Sequence, residues 1–255
     1  MKRSALSLPI LNLFAKILPK GVPMITHPAE TRGMANHGWL QSAHTFSFAD
    51  YYNPERMGFG ALRVINDDSI DAGMGFGTHP HRDMEIITIP LQGSLKHKDS
   101  EGNAAVIRKG EVQIMSAGTG IAHSEHASPD ETVKLLQIWV LPRKLGIKPR
   151  YEQKVFSHDD RKNKIQTIVA PDGRNGAVSI NQDAFFSLSD LEAGKSVTYE
   201  KQSPGNGIYL FIIDGEIELN GKTFHTRDGI GLSQFETLKL TGKTNAEILF
   251  MEVPA

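Results

Sequence analysis

The chain has no cysteine. Disulfides, zinc ribbons, iron–sulfur clusters and thiol nucleophiles are therefore excluded together, and any metal site must be built from His, Asp and Glu. An excess of charge of one sign is missing too. The 28 Lys and Arg against 29 Asp and Glu leave a formal net charge of -1, which offers no broad attraction to phosphate backbones or anionic lipid. Direct nucleic-acid binding is not expected. The N-terminal MKRSALSLPILNLFAKILPKG has a basic start and a short apolar run, but Pro9 and Lys16 interrupt that run and no small-x-small cleavage site follows. The run also falls short of the about 20 residues needed to span a bilayer. We read residues 1–23 as a flexible extension, with a start at Met24 as the other reading, and expect a cytoplasmic protein without membrane association.

Helical periodicity is scarce as well. After residue 24, short β-rich runs bounded by glycine turns recur: FGALRVI (59–65), EIITIPL (85–91), AAVIRKG (104–110), VKLLQIWVL (133–141), GIYLFIID (207–214) and AEILFMEV (246–253). Strands this frequent predict an all-β sandwich or barrel. With 255 residues, two compact domains are expected. The charged, proline-containing stretch 142–163 reads as the connection between them, and SLSDLEAG (187–194) as one helical turn capped by Ser189 or Asp190.

What is present is an arrangement of metal-ligand types. In GFGTHPHRDMEIITIP, His79 and His81 stand two apart, and GTGIAHSEHAS repeats the spacing with His123 and Glu125. Residues i and i+2 of a strand share a face with α-carbons roughly 6.5–7 Å apart, a gap that two imidazoles with metal bonds of about 2 Å can close. His126 points the other way. Three histidines and one carboxylate suit one divalent transition ion: iron(II), manganese, nickel, copper or zinc. Four such ligands leave an octahedral ion two open positions, whereas a closed tetrahedron of the same ligands makes a structural zinc site.

A weak internal repeat predicts which half carries that ion. Gly93 and Gly110 in the first half match Gly215 and Gly229 in the second. Counting back equally from Gly93 and Gly215 sets His79 and His81 against Lys201 and Ser203. A protonated lysine has no lone pair and serine is a poor ligand, so the second half is expected to hold no metal. Glu85 can face the same interior, hold a turn or pair with Arg82. His97 reads as a hairpin residue, and His27, His37, His44, His158 and His225 have no partner at ligand spacing.

HGWLQSAHTFSFADYY, MGFGALRVINDD, FGTHPHRDMEIIT, MSAGTGIAHSE, and LQIWVLP followed by PRYEQ resemble the pirin family of the cupin superfamily. The resemblance is dense through residue 153 and diffuse afterwards. It implies two cupin (jelly-roll) β-barrels stacked face to face, a bicupin: residues 24–150 with one metal, iron(II) foremost, and residues 151–255 without. The family's ligands fall on His79, His81, His123 and Glu125. Seven residues rather than the wider cupin pattern's six separate Glu85 from Gly93, a departure that is itself pirin-like. Bacterial pirins are similar to quercetin 2,3-dioxygenases, which open the central ring of a flavonol with dioxygen and release carbon monoxide. The resemblance thus implies an oxidoreductase acting on a small aromatic substrate; we expect a monomer, with Glu125 as a ligand that detaches or shifts its bonding to accept the substrate proton. The alternative implied by nuclear pirins is an iron-binding, redox-sensing regulator that acts through a protein partner.

Overall fold

A computed structural model describes residues 24–255; the extension read over 1–23 lies outside the described residues. The β-rich runs all become or feed strands, and the described residues contain no α-helix, only three short 3-10 turns. No helix among them is long and apolar enough to cross a membrane.

The strands form four sheets, two in each half. The larger sheet of the first half runs, edge to edge, Arg150–Val155, Glu111–Ser116, Glu85–Gln92, Val133–Val140, Leu62–Ile70, Leu40–His44 and Gly33–Asn36. Facing it is a four-stranded sheet of Gly75–His81, Ile121–Ala127, Ser94–Asp99 and Ala104–Arg108. The second half repeats the seven-plus-four plan. Each half is therefore a sandwich of two facing sheets and not a closed hydrogen-bonded barrel, but the stacked bicupin plan holds.

The two large sheets pack against each other. Ile65, Ile87, Leu136 and Ile138 of the first half share one buried cluster with Phe186, Tyr209, Phe211 and Leu249 of the second. Strand alternation then gives the other face of each large sheet to its own interior. In the second half that interior is aliphatic and aromatic, built on Leu210, Ile212, Ile248 and Phe250. The same face in the first half carries Asn66, Asp68, Thr88, Gln113 and Gln137. Four of them lie opposite one another across successive strands, as the Cα pairs Asn66 with Gln137, Gln137 with Thr88, and Thr88 with Gln113. Burying polar groups is costly unless they are hydrogen-bonded; Asn66, Asp68, Thr88 and Gln137 are, and only the Gln113 carboxamide among the five has no partner.

Three expectations change. SLSDLEAG forms no helical turn: Phe185–Leu191 is a strand held between Gln166–Ala170 and Ala246–Pro254, and hydrogen bonding on both edges overrides the local capping preference of Ser189 and Asp190. The stretch 142–163 is not all connection, because Arg150–Val155 pairs antiparallel with Glu111–Ser116 and adds the outermost strand to the first half's sheet. Met24–His27 crosses the other way. It pairs with Gly229–Leu232 of the second half, anchored by a 2.8 Å hydrogen bond between His27 Nδ1 and the Tyr209 hydroxyl. The division at 150/151 is thus bridged by a strand at each end.

Candidate metal centre

Gly75–His81 and Ile121–Ala127 are antiparallel neighbours in which His79 and His123 are Cα partners and His81 faces Ile121. The close approach depends on Gly75: a Cβ there would stand 2.1 Å from the Glu125 carbonyl oxygen and 2.5 Å from His126 Cα. A bulge between His123 and Glu125 shifts the register on this side. Along Ile121–Ala127 buried and half-buried residues alternate, so His123 and Glu125 point into the sandwich and His126 does not share that face.

The three predicted histidines converge. Ring centroids lie 4.4 Å apart for His79 and His123, and 4.9 Å for His79 with His81 and His81 with His123. One ring nitrogen from each can be chosen so that all three lie within 4.8 Å of one another. The Nδ1 of His79 lies 2.9 Å from the Gly77 carbonyl. A carbonyl only accepts, so Nδ1 carries the proton and Nε2 keeps its lone pair. His123 is 1% exposed and neither of its ring nitrogens has a hydrogen-bond partner. Buried polar atoms are almost always paired, so three imidazoles with unclaimed nitrogens facing one point fit a divalent ion. Burial, reinforced by the neighbouring imidazoles, lowers His81 to about 4 and His123 to about 3. Both stay neutral and ligand-competent at physiological pH.

Glu125 is held on one side only. Gln137 Nε2 donates to Oε2 at 3.0 Å, while Oε1 is buried without a partner. Burial, with the charge of Asp68 adding and the Gln137 donor opposing, pushes Glu125 up to about 7. Its carboxylate gathers within 4.8 Å of ring nitrogens on His123 and His97, and it lines one cavity with His79 and His81. The structure therefore brings His79, His81 and His123 into one group and Glu125 into a second group that shares His123.

His97 is no simple hairpin residue. It is buried on the strand Ser94–Asp99, opposite Glu125, with its ring centroid 5.3 Å from that of His123. The signal was available: alternation in SLKHKD puts Leu95, His97 and Asp99 on one buried face. Gln137 was equally visible as the polar interruption of VKLLQIWV. Glu85 does not reach the site. Its Oε2 accepts from the Ser116 hydroxyl at 2.7 Å and from the Asn181 backbone N–H at 3.1 Å, which ties the two halves together.

His79 and His81, but not the buried His123, open on a cavity of about 830 Å³. Trp39, Phe48, Phe76 and Trp139 give it flat apolar walls, with Trp139 edge-on to Phe48 at 5.4 Å and to His81 at 5.0 Å. Ser42, His44, Asn66 and Asp68 form a polar wall, joined by the Ser42 hydroxyl on Asp68 and by His44 Nδ1 to Asn66 Oδ1 at 2.8 Å. In the second half, Lys201 Nζ lies 4.9 Å over the Phe235 ring and the Ser203 backbone N–H donates to Glu252. Among the described residues, both ligand groups lie in the first half.

Residues 26–140 match the family model Pirin, and residues 167–253 match the model Quercetinase C-terminal cupin domain. A quercetin 2,3-dioxygenase of Escherichia coli (strain K12) is 44% identical over 231 residues, covering 89% of this chain and 96% of the relative. A pirin-like protein of Caulobacter vibrioides is 39% identical over 226 residues, covering 88% and 97%. The crystal structure of the bacterial pirin YhhW from Escherichia coli, in complex with nickel(II), superposes with a TM-score of 0.86 at 42% identity, covering 91% of this chain and 99% of that one.

Proposed function

The chain belongs to the pirin family, and on that premise we propose that it is a metal-dependent dioxygenase that opens the central ring of flavonols such as quercetin, with release of carbon monoxide. The observation that carries this reading is the trio of imidazoles with unclaimed nitrogens, two of which, His79 and His81, line an aromatic-sided cavity of about 830 Å³. That volume lies within the range of about 300–1,000 Å³ typical of small-molecule sites.

We take His79, His81, His123 and Glu125 as the ligands of one ion per chain, with iron(II) the leading candidate. When bound, the ion supplies Lewis acidity that lowers the pKa of a chelated enol hydroxyl. Everything else falls to the protein. Trp39, Phe76 and Trp139 hold the flat ring system and keep water from it. Asn66 and Asp68 offer hydrogen-bond partners to the hydroxyls of a polyphenol. Glu125 would hold the ion through Oε1, the oxygen without a partner, and would detach to receive the enol proton there, while Gln137 keeps Oε2 fixed. Dioxygen contributes both of its atoms to the organic product, and the carbon that bore the enol hydroxyl leaves as carbon monoxide.

The test is loss of the flavonol absorption band in air, with protein loaded anaerobically with iron(II), manganese(II), nickel(II) or copper(II). Turnover by at least one form, and none by His79→Ala carrying the same metal feed, is the expected result. Equal rates for His79→Ala and the parent would refute the assignment.

A further inference from the structure

The histidine and carboxylate behind His123 play no part in the scheme above. His97 and Asp99 have fully buried side chains, and His97 Nε2 lies 3.3 Å from Asp99 Oδ2. Asp99 is held firmly. Its Oδ1 accepts the backbone N–H groups of Glu101 and Asn103 at 3.0 and 2.9 Å, and its Oδ2 accepts Asn103 Nδ2 at 2.9 Å. A carboxylate met by this many donors is ionised and can only accept. The proton between the pair therefore sits on His97 Nε2, and His97 Nδ1 is left as a bare lone pair.

That lone pair is buried and has no partner. Beside it lies His123, whose two ring nitrogens are also without partners. If one His123 nitrogen binds the ion, the other carries a proton and needs an acceptor, as metal-bound imidazoles almost always have. The two ring centroids are 5.3 Å apart, close to the about 5 Å expected for imidazoles joined by an N–H···N bond of about 2.9 Å. A modest rotation about the soft Cβ–Cγ bond of either ring aligns them. His97 also packs against the Tyr151 ring, with centroids 4.9 Å apart, and the Tyr151 hydroxyl donates to Gln153 Oε1 at 2.6 Å.

We propose that Asp99 and His97 form a hydrogen-bonded arm in which His97 Nδ1 accepts the N–H of His123 and fixes that imidazole as a metal ligand. His97 is then a positioning residue, acting through His123. The inference rests on the metal-centre reading and adds a support that the four-ligand set does not contain.

Zinc(II)-loaded full-length protein with 15N-labelled histidine tests it without mutation. The expected spectrum shows His97 protonated at Nε2, with Nδ1 as a lone-pair nitrogen coupled to the His123 N–H. A proton on His97 Nδ1, or a coordinated His97, would overturn the proposal. Zinc affinity by chelator competition gives a second readout. His97→Leu is expected to bind zinc about 10- to 100-fold more weakly, and His97→Asn, whose carboxamide oxygen stands near the Nδ1 position, to recover most of that loss. Parent-like affinity in folded His97→Leu would overturn the arm alone, whereas a parent protein that binds no divalent ion would overturn the metal centre with it. If His97→Leu does not fold, the labelled parent spectrum decides.

Discussion

Gln137 can present only its amide nitrogen to Glu125. The Thr88 hydroxyl donates to Gln137 Oε1 at 2.9 Å, which sets the orientation of the carboxamide and aims Nε2 at Glu125 Oε2, 3.0 Å away. One carboxylate oxygen is thereby occupied and the other left open. Gln137→Leu removes a hydrogen bond to a charged group worth about 1.5–3 kcal/mol. Quercetin turnover is expected to fall about 10- to 100-fold with the fold intact by circular dichroism, and Gln137→Glu, which sets a second carboxylate against Glu125, to fare no better.

One ion per chain is expected, and it depends on the first half alone. His123→Ala should reduce bound metal from about one equivalent to near zero by elemental analysis, since His123 belongs to both ligand groups. Lys201→Ala should leave it unchanged, because Lys201 packs over Phe235 and approaches Glu236 at 3.9 Å.

Metal uptake should release a proton near pH 6. Metal-free Glu125, pushed up to about 7 by burial, is largely protonated there, whereas His81 at about 4 and His123 at about 3 are already neutral. Binding requires the carboxylate, so Glu125 contributes about one proton to those released per ion. Calorimetry in buffers of differing ionisation enthalpy measures this, and Glu125→Gln should lower the number released by about one.

Asp68 should cost the metal-free protein stability as pH rises from 4 to 7. Burial is the main cause that raises its carboxyl from 3.8 to about 7; Ser42 opposes the shift and Asp67 adds to it. A raised folded-state pKa stabilises the fold below the unfolded value, and that stability is lost as pH rises through the folded value. Asp68→Asn cannot ionise, so its melting temperature relative to the parent should climb between pH 4 and 7 and level off above. A difference that stays flat over that range would contradict the assignment.

Glu85 should matter for stability and not for metal. Glu85→Ala leaves the Ser116 hydroxyl and the Asn181 N–H without their acceptor, at a cost of about 1–3 kcal/mol each. The melting temperature should fall while zinc content stays at the parent level.

The sequence was most legible where chemistry follows local spacing. His79 with His81, and His123 with Glu125, needed only strand alternation to share a face, and the β-rich runs needed only periodicity. What it hid depends on distant partners. Met24–His27 has no local feature that assigns it to Gly229–Leu232, and Arg150–Val155 reads as a charged connection because an edge strand needs no apolar face of its own. Phe185–Leu191 was obscured by Ser and Asp, residues whose capping tendency counts only where a helix begins. His97 was the costliest omission. Its alternation with Leu95 and Asp99 was plain, but without a partner at ligand spacing it looked incidental, and only the register placing it opposite Glu125 shows its position.

The most direct measurement supplies 18O-labelled dioxygen and quercetin to protein loaded anaerobically with iron(II), and analyses the gas phase and the product by mass spectrometry. One carbon monoxide per quercetin consumed, with both labelled atoms in the ring-opened product and neither effect in His123→Ala, is the predicted result. No carbon monoxide and no labelled product with iron(II) or any other divalent ion would contradict it.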